Sequence, residues 1–471
     1  MSSLRELLFL PAVEIVRLIA AGDVSAAEVV SAHLDQIARL NPGLNAFVDL
    51  RADDAMAEAC AQDEAVAAGA PRGSIGGLPI TIKSAIDVKG LRCETGSPSR
   101  LGTIAAADAT VVARLRAAGA IVLGTTNVAE MLMGYESENP LHGRTVSPWD
   151  AARTPGGSSG GEAAAIAAGC SAGGIGSDGG GSIRVPAHFT GICGLKPTPG
   201  RLPWSGHQPP CLGPFALLGV VGPMARTVAD LDALFRVAAG WDAIDPMAAP
   251  VPVAARDSPA PAVARIGVFE DDGRTPVTPE TREAVRAAAR SLEAAGHLVE
   301  PFRPAGLDRA REVWNVLFCE AGLLLLGETL GGTERALPIL EAFLASAAPA
   351  PLTGARLLHA WADRDALRAE FLREMETFPI LVCPVAAVPA FGHGERVWSI
   401  DRVPVGYLDA MSYTQWFNVL GNPVVVVPAG RSPEGLPIGV QVVGRPYEEE
   451  RVLAIAGAIE RGCGAFRAPS I

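Results

Sequence analysis

Lys83 is one of three lysines in 471 residues, with Lys89 and Lys196, in a chain whose other fixed cations are arginines. It lies inside Leu78 to Val88 (LPITIKSAIDV), a short, β-branched and mostly apolar run. Burial in such a run disfavours the ammonium form and lowers its pKa, which is how a lysine becomes a base near neutral pH. A lone strand lysine more often snorkels its amine to solvent. A second group is Gly156-Gly157-Ser158-Ser159-Gly160-Gly161, where glycine pairs on both sides of two serines permit unusual dihedrals and close approach of other chain. A flexible linker would share that composition, but not the flanks of apolar helix on one side and Pro148-Trp149 on the other. The third group is Asp178-Gly179-Gly180-Gly181-Ser182-Ile183-Arg184. Three glycines before a serine leave backbone N–H groups able to converge on a carbonyl oxygen, and each such donor is typically worth ~3 kcal/mol to a transition state. Ser182 follows them directly, placed to attack that carbonyl; an ordinary Gly-rich turn would read the same way.

Two competing motifs overlap these residues. Gly174-Ile175-Gly176-Ser177-Asp178-Gly179 matches G-x-G-x-x-G, but it follows an Ala-rich, helix-like segment. About 20 residues on stand Pro199 and Gly200, where a dinucleotide site needs an acidic residue for the ribose. Gly156-Gly157-Ser158-Ser159-Gly160 matches G-x-S-x-G, yet an irregular loop precedes it where a nucleophile elbow follows a strand. The downstream histidines His207, His297, His359 and His393 stand in ordinary contexts and read as structural or exposed. The pattern therefore points to serine chemistry based on lysine.

The elements that must hold these groups alternate helix and strand, an α/β pattern. Ser25 opens a helix from Ala26 to Leu40 that Asn41-Pro42 stops, and residues 53–69 form another. Leu78 to Val88 reads as a strand buried on both faces. Asp108 reads as the N-cap of a helix to Ala118, which Gly119 ends before the strand Ile121 to Gly124. A long ordered loop spans Asn139 to Gly161. Ala163 to Ala168 then forms a helix, and Gly-rich turns follow through Gly181. Beyond an exposed connection at 243–262 come a strand Arg265 to Phe269, a helix Pro279 to Ala295, strands Ile380 to Val388 and Val424 to Pro428, and helices at 354–375 and 450–461.

Composition narrows the partners. A net charge of −12 disfavours nucleic acid and anionic membrane surfaces. No run reaches the ~18 apolar residues of a membrane span, and Arg5, Glu6, Glu14 and Arg17 interrupt any signal-like segment. Cys60, Cys93, Cys170, Cys193, Cys211, Cys319, Cys383 and Cys463 form no C-x-x-C pair, as expected of reduced thiols in a cytoplasmic protein.

Thr154 to Pro197 (TPGGSSGGEAAAIAAGCSAGGIGSDGGGSIRVPAHFTGICGLKP), with the lysine of LPITIKSAIDV and the 24-position spacing from Ser158 to Ser182, resembles the amidase signature family nearly residue for residue. Gly124-Thr125-Thr126-Asn127, Asn139-Pro140, Gly421-Asn422-Pro423 and Gly435 to Gln441 extend the likeness, leaving roughly 245–400 divergent. The resemblance implies one α/β/α domain over 1–471, with a large mixed sheet between helices. Its parts would be an N-terminal helical region (1–70), a signature core (75–240), a divergent pocket region (245–400) and C-terminal strands and helix (401–471). It further implies a Ser182 nucleophile, a Ser158 relay on a cis peptide bond and a Lys83 base. Oxyanion donors would be Gly179, Gly180, Gly181 and Ser182, with Ser159, Asp178 and Arg184 in support. Many members carry a larger residue where Gly179 stands. Leu132, Met133 and Gly134 should line the acyl side, with Arg201 and Trp204 at the entrance. The apolar stretch 310–350, with Trp314, Phe318, Leu323 to Leu326 and Phe343, reads equally as pocket wall and as helix packing. Members of the family cleave aryl acylamides, fatty amides, peptide amides, oligoamides and urethanes. The expected activity is hydrolysis of an apolar or aryl amide, with carbamate or ester cleavage open, by a monomer or homodimer needing no cofactor or metal. The alternatives are the amidase subunit of a tRNA-dependent amidotransferase and, from another class, a dinucleotide-binding oxidoreductase.

Overall fold

The computed structural model describes residues 4–210, 212–255, 263–330, 352–464 and 466–471. Eleven strands form one mixed sheet: β1 (Phe47–Leu50), β2 (Pro79–Lys83), β3 (Ile121–Thr126), β4 (Gly173–Asp178), β5 (Cys193–Lys196), β6 (Val220–Ala225), β7 (Arg265–Val268), β8 (Leu298–Pro301), β9 (Ile380–Pro384), β10 (Val424–Arg431) and β11 (Pro437–Gly444). Their spatial order is β1-β3-β2-β4-β6-β5-β10-β11-β9-β7-β8. The triplets β3-β2-β4 and β9-β7-β8 are parallel within themselves, and the strands between them pair antiparallel.

Successive side chains on a strand face opposite ways, and the core divides accordingly. Val424 and Val426 join one apolar cluster with Leu381 and Cys383, while Val425 and Val427 join a second with Ile380 and Val382. Helices cover both faces. Among them Glu449–Cys463 and Pro279–Ala294 pack on the second cluster, and Ser412–Val419 and Leu307–Trp314 on the first. Val424 to Val427 and Ile380 to Val382 are thus apolar without alternation, as expected for a sheet buried on both sides.

Several local readings need correction. The helix opened by the Ser25–Glu28 capping box runs to Leu44, through Asn41-Pro42, and ends at Asn45 in the left-handed conformation. Proline in a last turn forfeits one N–H without breaking the turns before it. Asp108 does not cap: the helix is Thr110–Ala117, and the Asp108 carboxylate instead accepts the Lys89 N–H and pairs with Arg116. The strand from Leu78 ends at Lys83, and that from Ile380 ends at Pro384. The glycines read as turns before Asp178 are the strand β4, paired with β2 and β6. A Cβ at Gly174 would fall 2.2 Å from the Thr81 carbonyl oxygen, so close strand packing rather than turn geometry requires glycine there. This placement also removes the dinucleotide reading, since the G-x-G-x-x-G glycines lie along a ladder and not in a phosphate-cradling turn. Of the described cysteines only Cys60 is exposed, and all are free thiols; Cys211 lies outside the described residues. No helix among the described residues is long and apolar enough to cross a membrane.

Candidate active site

The neighbouring parallel strands β2, β3 and β4 end side by side at Lys83, Thr126 and Asp178, and the loops beyond those ends meet. In α/β sheets ligands bind outside the carboxyl ends of parallel strands. Lys83 is wholly buried, its Nζ 2.7 Å from Ser158 Oγ and 3.4 Å from the Ser177 carbonyl oxygen. Burial drives its pKa down to about 7, against the opposing pull of Asp178 and Glu162. Glu162, held by the Thr81 and Thr126 hydroxyls, is itself pushed up to about 8 by burial, which weakens that pull at neutral pH.

The Gly157–Ser158 peptide bond is cis. A Cβ on Gly157 would meet the Gly134 carbonyl oxygen at 2.7 Å and the Glu136 nitrogen at 2.5 Å, so only glycine fits against that neighbouring chain. The Ser159 hydroxyl donates to the Ser177 carbonyl at 3.3 Å, and the Ser159 N–H to the Ser182 carbonyl at 3.2 Å, tying the two serine loops together. Ser158 and Ser182 line one cleft without a direct hydrogen bond between their hydroxyls. Catalytic contacts in unliganded sites are often long and close only around substrate.

The turn Asp178–Arg184 is held from below. Asp178 accepts from the Gly181 N–H (2.8 Å), the Ile183 N–H (3.1 Å), Arg184 Nε (2.9 Å) and Asn418 Nδ2 (3.0 Å). Despite complete burial, the Arg184 guanidinium keeps this carboxyl well below the usual carboxylate range. Arg184, also fully buried, donates onward to the Thr414 carbonyl, Gln441 and Asn418. Because Asp178 engages the Gly181 amide, Gly181 is not free to act as an oxyanion donor, contrary to expectation. Among the described residues, the amides of Gly179, Gly180 and Ser182 find no protein acceptor.

The cleft encloses about 470 Å³, part of it open to solvent. Met131, Leu132, Met133, Trp204, Phe215 and Phe318 wall it, with Ser158, Ser177, Ser182 and His207 as polar groups. Met131 and Leu132 both hold left-handed backbone (φ 48° and 65°), uncommon for such side chains. Several expected pocket residues behave otherwise. Gly134 lies behind Gly157 rather than in the wall. Arg201 is buried away from the cleft, donating to the Val251 carbonyl and pairing with Glu449 and Glu450, because a guanidinium in the interior needs that many acceptors. Leu324 and Leu325 are exposed, and Phe343 lies outside the described residues.

His207, read from sequence as ordinary, lines the cleft. Its Nδ1 faces the Pro209 carbonyl at 3.1 Å, so that nitrogen carries the proton, and Nε2 accepts from Ser177 Oγ at 2.9 Å. Burial, with Lys83 nearby, lowers its pKa to about 3, leaving it neutral. Trp204 lies against its ring at 4.0 Å between centroids. Asn418 and Thr414 were also not apparent, and Gln441 stood out only as the end of the Gly435 to Gln441 likeness, since all three come from elements far along the chain. The signal available for His207 was its position on the loop directly after the signature stretch, between Trp204 and Pro209-Pro210.

A family model described as Amidase matches residues 28–453. The chain belongs to the amidase signature family. It is a hydrolase of amide C–N bonds with the fold of that family. The amidase is 35% identical over 464 residues to an indoleacetamide hydrolase of Bradyrhizobium diazoefficiens, covering 97% of this chain and 87% of that one. It is 36% identical over 480 residues to a glutamyl-tRNA(Gln) amidotransferase subunit from Synechococcus sp. strain CC9605, covering 95% of each. A solved bacterial aryl acylamidase of the same family superposes with a TM-score of 0.85 at 27% identity, covering 96% of each chain.

Proposed function

We propose that this amidase cleaves apolar, aryl-bearing amides through an acyl-enzyme on Ser182, with Ser158 as relay and Lys83 as base. The observation that carries the reading is the wholly buried Lys83 amine 2.7 Å from the Ser158 hydroxyl. An amine with a pKa of about 7 is substantially unprotonated at neutral pH and accepts a proton there. Ser182 Oγ attacks the substrate carbonyl and gives its proton to Ser158, whose own proton passes to Lys83 Nζ. The amides of Gly179, Gly180 and Ser182 receive the charge that develops on the carbonyl oxygen. As the C–N bond breaks, the proton returns along the same path to the departing amine, and water then hydrolyses the Ser182 ester. Asp178, Arg184 and Ser159 hold the loops that carry these groups.

The walls support the substrate class. Leu132, Met133, Trp204, Phe215 and Phe318 offer flat and apolar surfaces, and among the described residues no charged side chain lines the cleft. An aryl amide is stabilised there by burial and ring contacts, and an aryl carbamate presents the same carbonyl to the same donors. Hydrolysis of anilides, arylacetamides, aryl carbamates and short polar primary amides by the purified chain tests this. Turnover is expected on the aryl amides, and activity confined to the short polar amides overturns the substrate reading. Mass mapping after fluorophosphonate treatment should place the label on Ser182.

The similarity to amidotransferase subunits favours a second reading, release of ammonia from glutamine for a partner. Glutamine carries a carboxylate and an ammonium that need charged partners when enclosed, and the described cleft wall supplies none. Glutaminase activity exceeding arylamidase activity would reverse this order.

A further inference from the structure

Gly179 and Gly180 have no side chains with which to fix the peptide plane between them, yet that plane is held. The indole Nε1 of Trp314 donates to the Gly179 carbonyl at 3.0 Å. In a trans peptide the C=O and the following N–H point to opposite sides of the chain. Trp314 is not among the residues that line the cleft, and a carbonyl turned toward its indole leaves the Gly180 N–H facing away from that ring. The next plane is anchored at both ends: the Gly180 carbonyl accepts from Tyr135 Oη (2.9 Å) and Thr414 Oγ1 (2.7 Å), and its Gly181 N–H goes to Asp178. The Gly179–Gly180 plane has Trp314 as its one protein anchor among the described residues.

The fit is steric as well as polar. A Cβ on Gly180 would lie 2.7 Å from Trp314 Cζ2, and one on Gly179 would lie 2.6 Å from Phe318 Cε2. Those two rings stack at 4.9 Å with 15° between their planes. An aromatic pair from the divergent part of the chain therefore occupies the space beside the loop that side chains at 179 and 180 would fill. We propose that Trp314 is a positioning residue for the oxyanion hole, its indole N–H orienting the Gly180 amide toward the developing charge. This rests on the Ser182 acyl-enzyme reading above.

The experiment compares wild type with Trp314→Phe, which keeps a ring beside Phe318 and removes the N–H. An orienting role predicts that kcat falls about tenfold or more with KM within about twofold. The affinity of an aryl trifluoromethyl ketone, which forms an oxyanion on Ser182, falls by the same factor as kcat/KM, while that of an unreactive ketone-free analogue holds. Equal losses for both inhibitors, or an unchanged kcat, overturn the proposal. If Trp314→Phe does not fold, placing benzothienylalanine at 314 by codon reassignment keeps the bicyclic shape without the N–H and decides the same comparison. Loss of turnover in Ser182→Ala with an unaffected Trp314→Phe overturns this inference alone. Turnover retained in Ser182→Ala overturns the acyl-enzyme reading and this one with it.

Discussion

With its pKa lowered to about 7 by burial, the Lys83 amine passes from protonated to neutral across the physiological range, and only the neutral form can take a proton from Ser158. The rate constant kcat/KM for an aryl amide should therefore rise with pH between about 6 and 8 and level off above. A profile flat across that interval would remove Lys83 as base. Ser182→Ala and Lys83→Ala should each lower turnover by roughly 10³-fold or more while retaining a cooperative thermal transition, and persistent turnover in either variant would reassign its role. The residue types were legible because a rare lysine in an apolar strand and serines among glycines are unusual choices. His207 was legible only by its position on the loop after the signature stretch, because the sequence does not announce that its ring nitrogens meet the Ser177 hydroxyl and the Pro209 carbonyl.

At the scale of elements, the Asp178–Arg184 pair joins the end of β4 to the helices Arg184–Thr190 and Ser412–Val419 and to Gln441 on β11. Both groups are fully buried, so removing one strands the other's charge. Arg184→Met should cost about 3–5 kcal/mol of stability in urea unfolding, and a cost under about 1 kcal/mol would show that the pair is not what holds the loop. Gly181 has φ of 127°, and a Cβ there would lie 2.4 Å from Thr414 Oγ1. Gly181→Ala should accordingly lower both kcat and stability, and wild-type kinetics would argue that this turn tolerates a side chain. Strands rich in Val and Ile, such as Val424 to Val427, were apparent from composition. The strand Gly173–Asp178 was not, because its glycines look like turn residues until Thr81 and Met224 are seen packed against them.

Across the whole molecule, Arg201 links the loop after the signature stretch to Glu449 and Glu450 at the start of the last long helix, and to the carbonyls of Val251 and Pro252. Arg201→Met is expected to lower the urea midpoint, by about 3 kcal/mol in stability, while KM for aryl amides stays within about twofold. A KM rise without loss of stability would return Arg201 to the pocket. Sequence alone determined the α/β class and the family, and it singled out the lysine and the serines of the candidate site. Those follow from local spacing and composition, which are properties of neighbours along the chain. Only the tertiary structure decided that Lys83 is sealed from water, that Asp178 rather than substrate takes the Gly181 amide, and that Trp314 and Thr414 reach the glycine loop from positions more than 130 residues away. Burial and long-range hydrogen bonds depend on which elements the sheet brings side by side, and no local stretch of sequence carries that information.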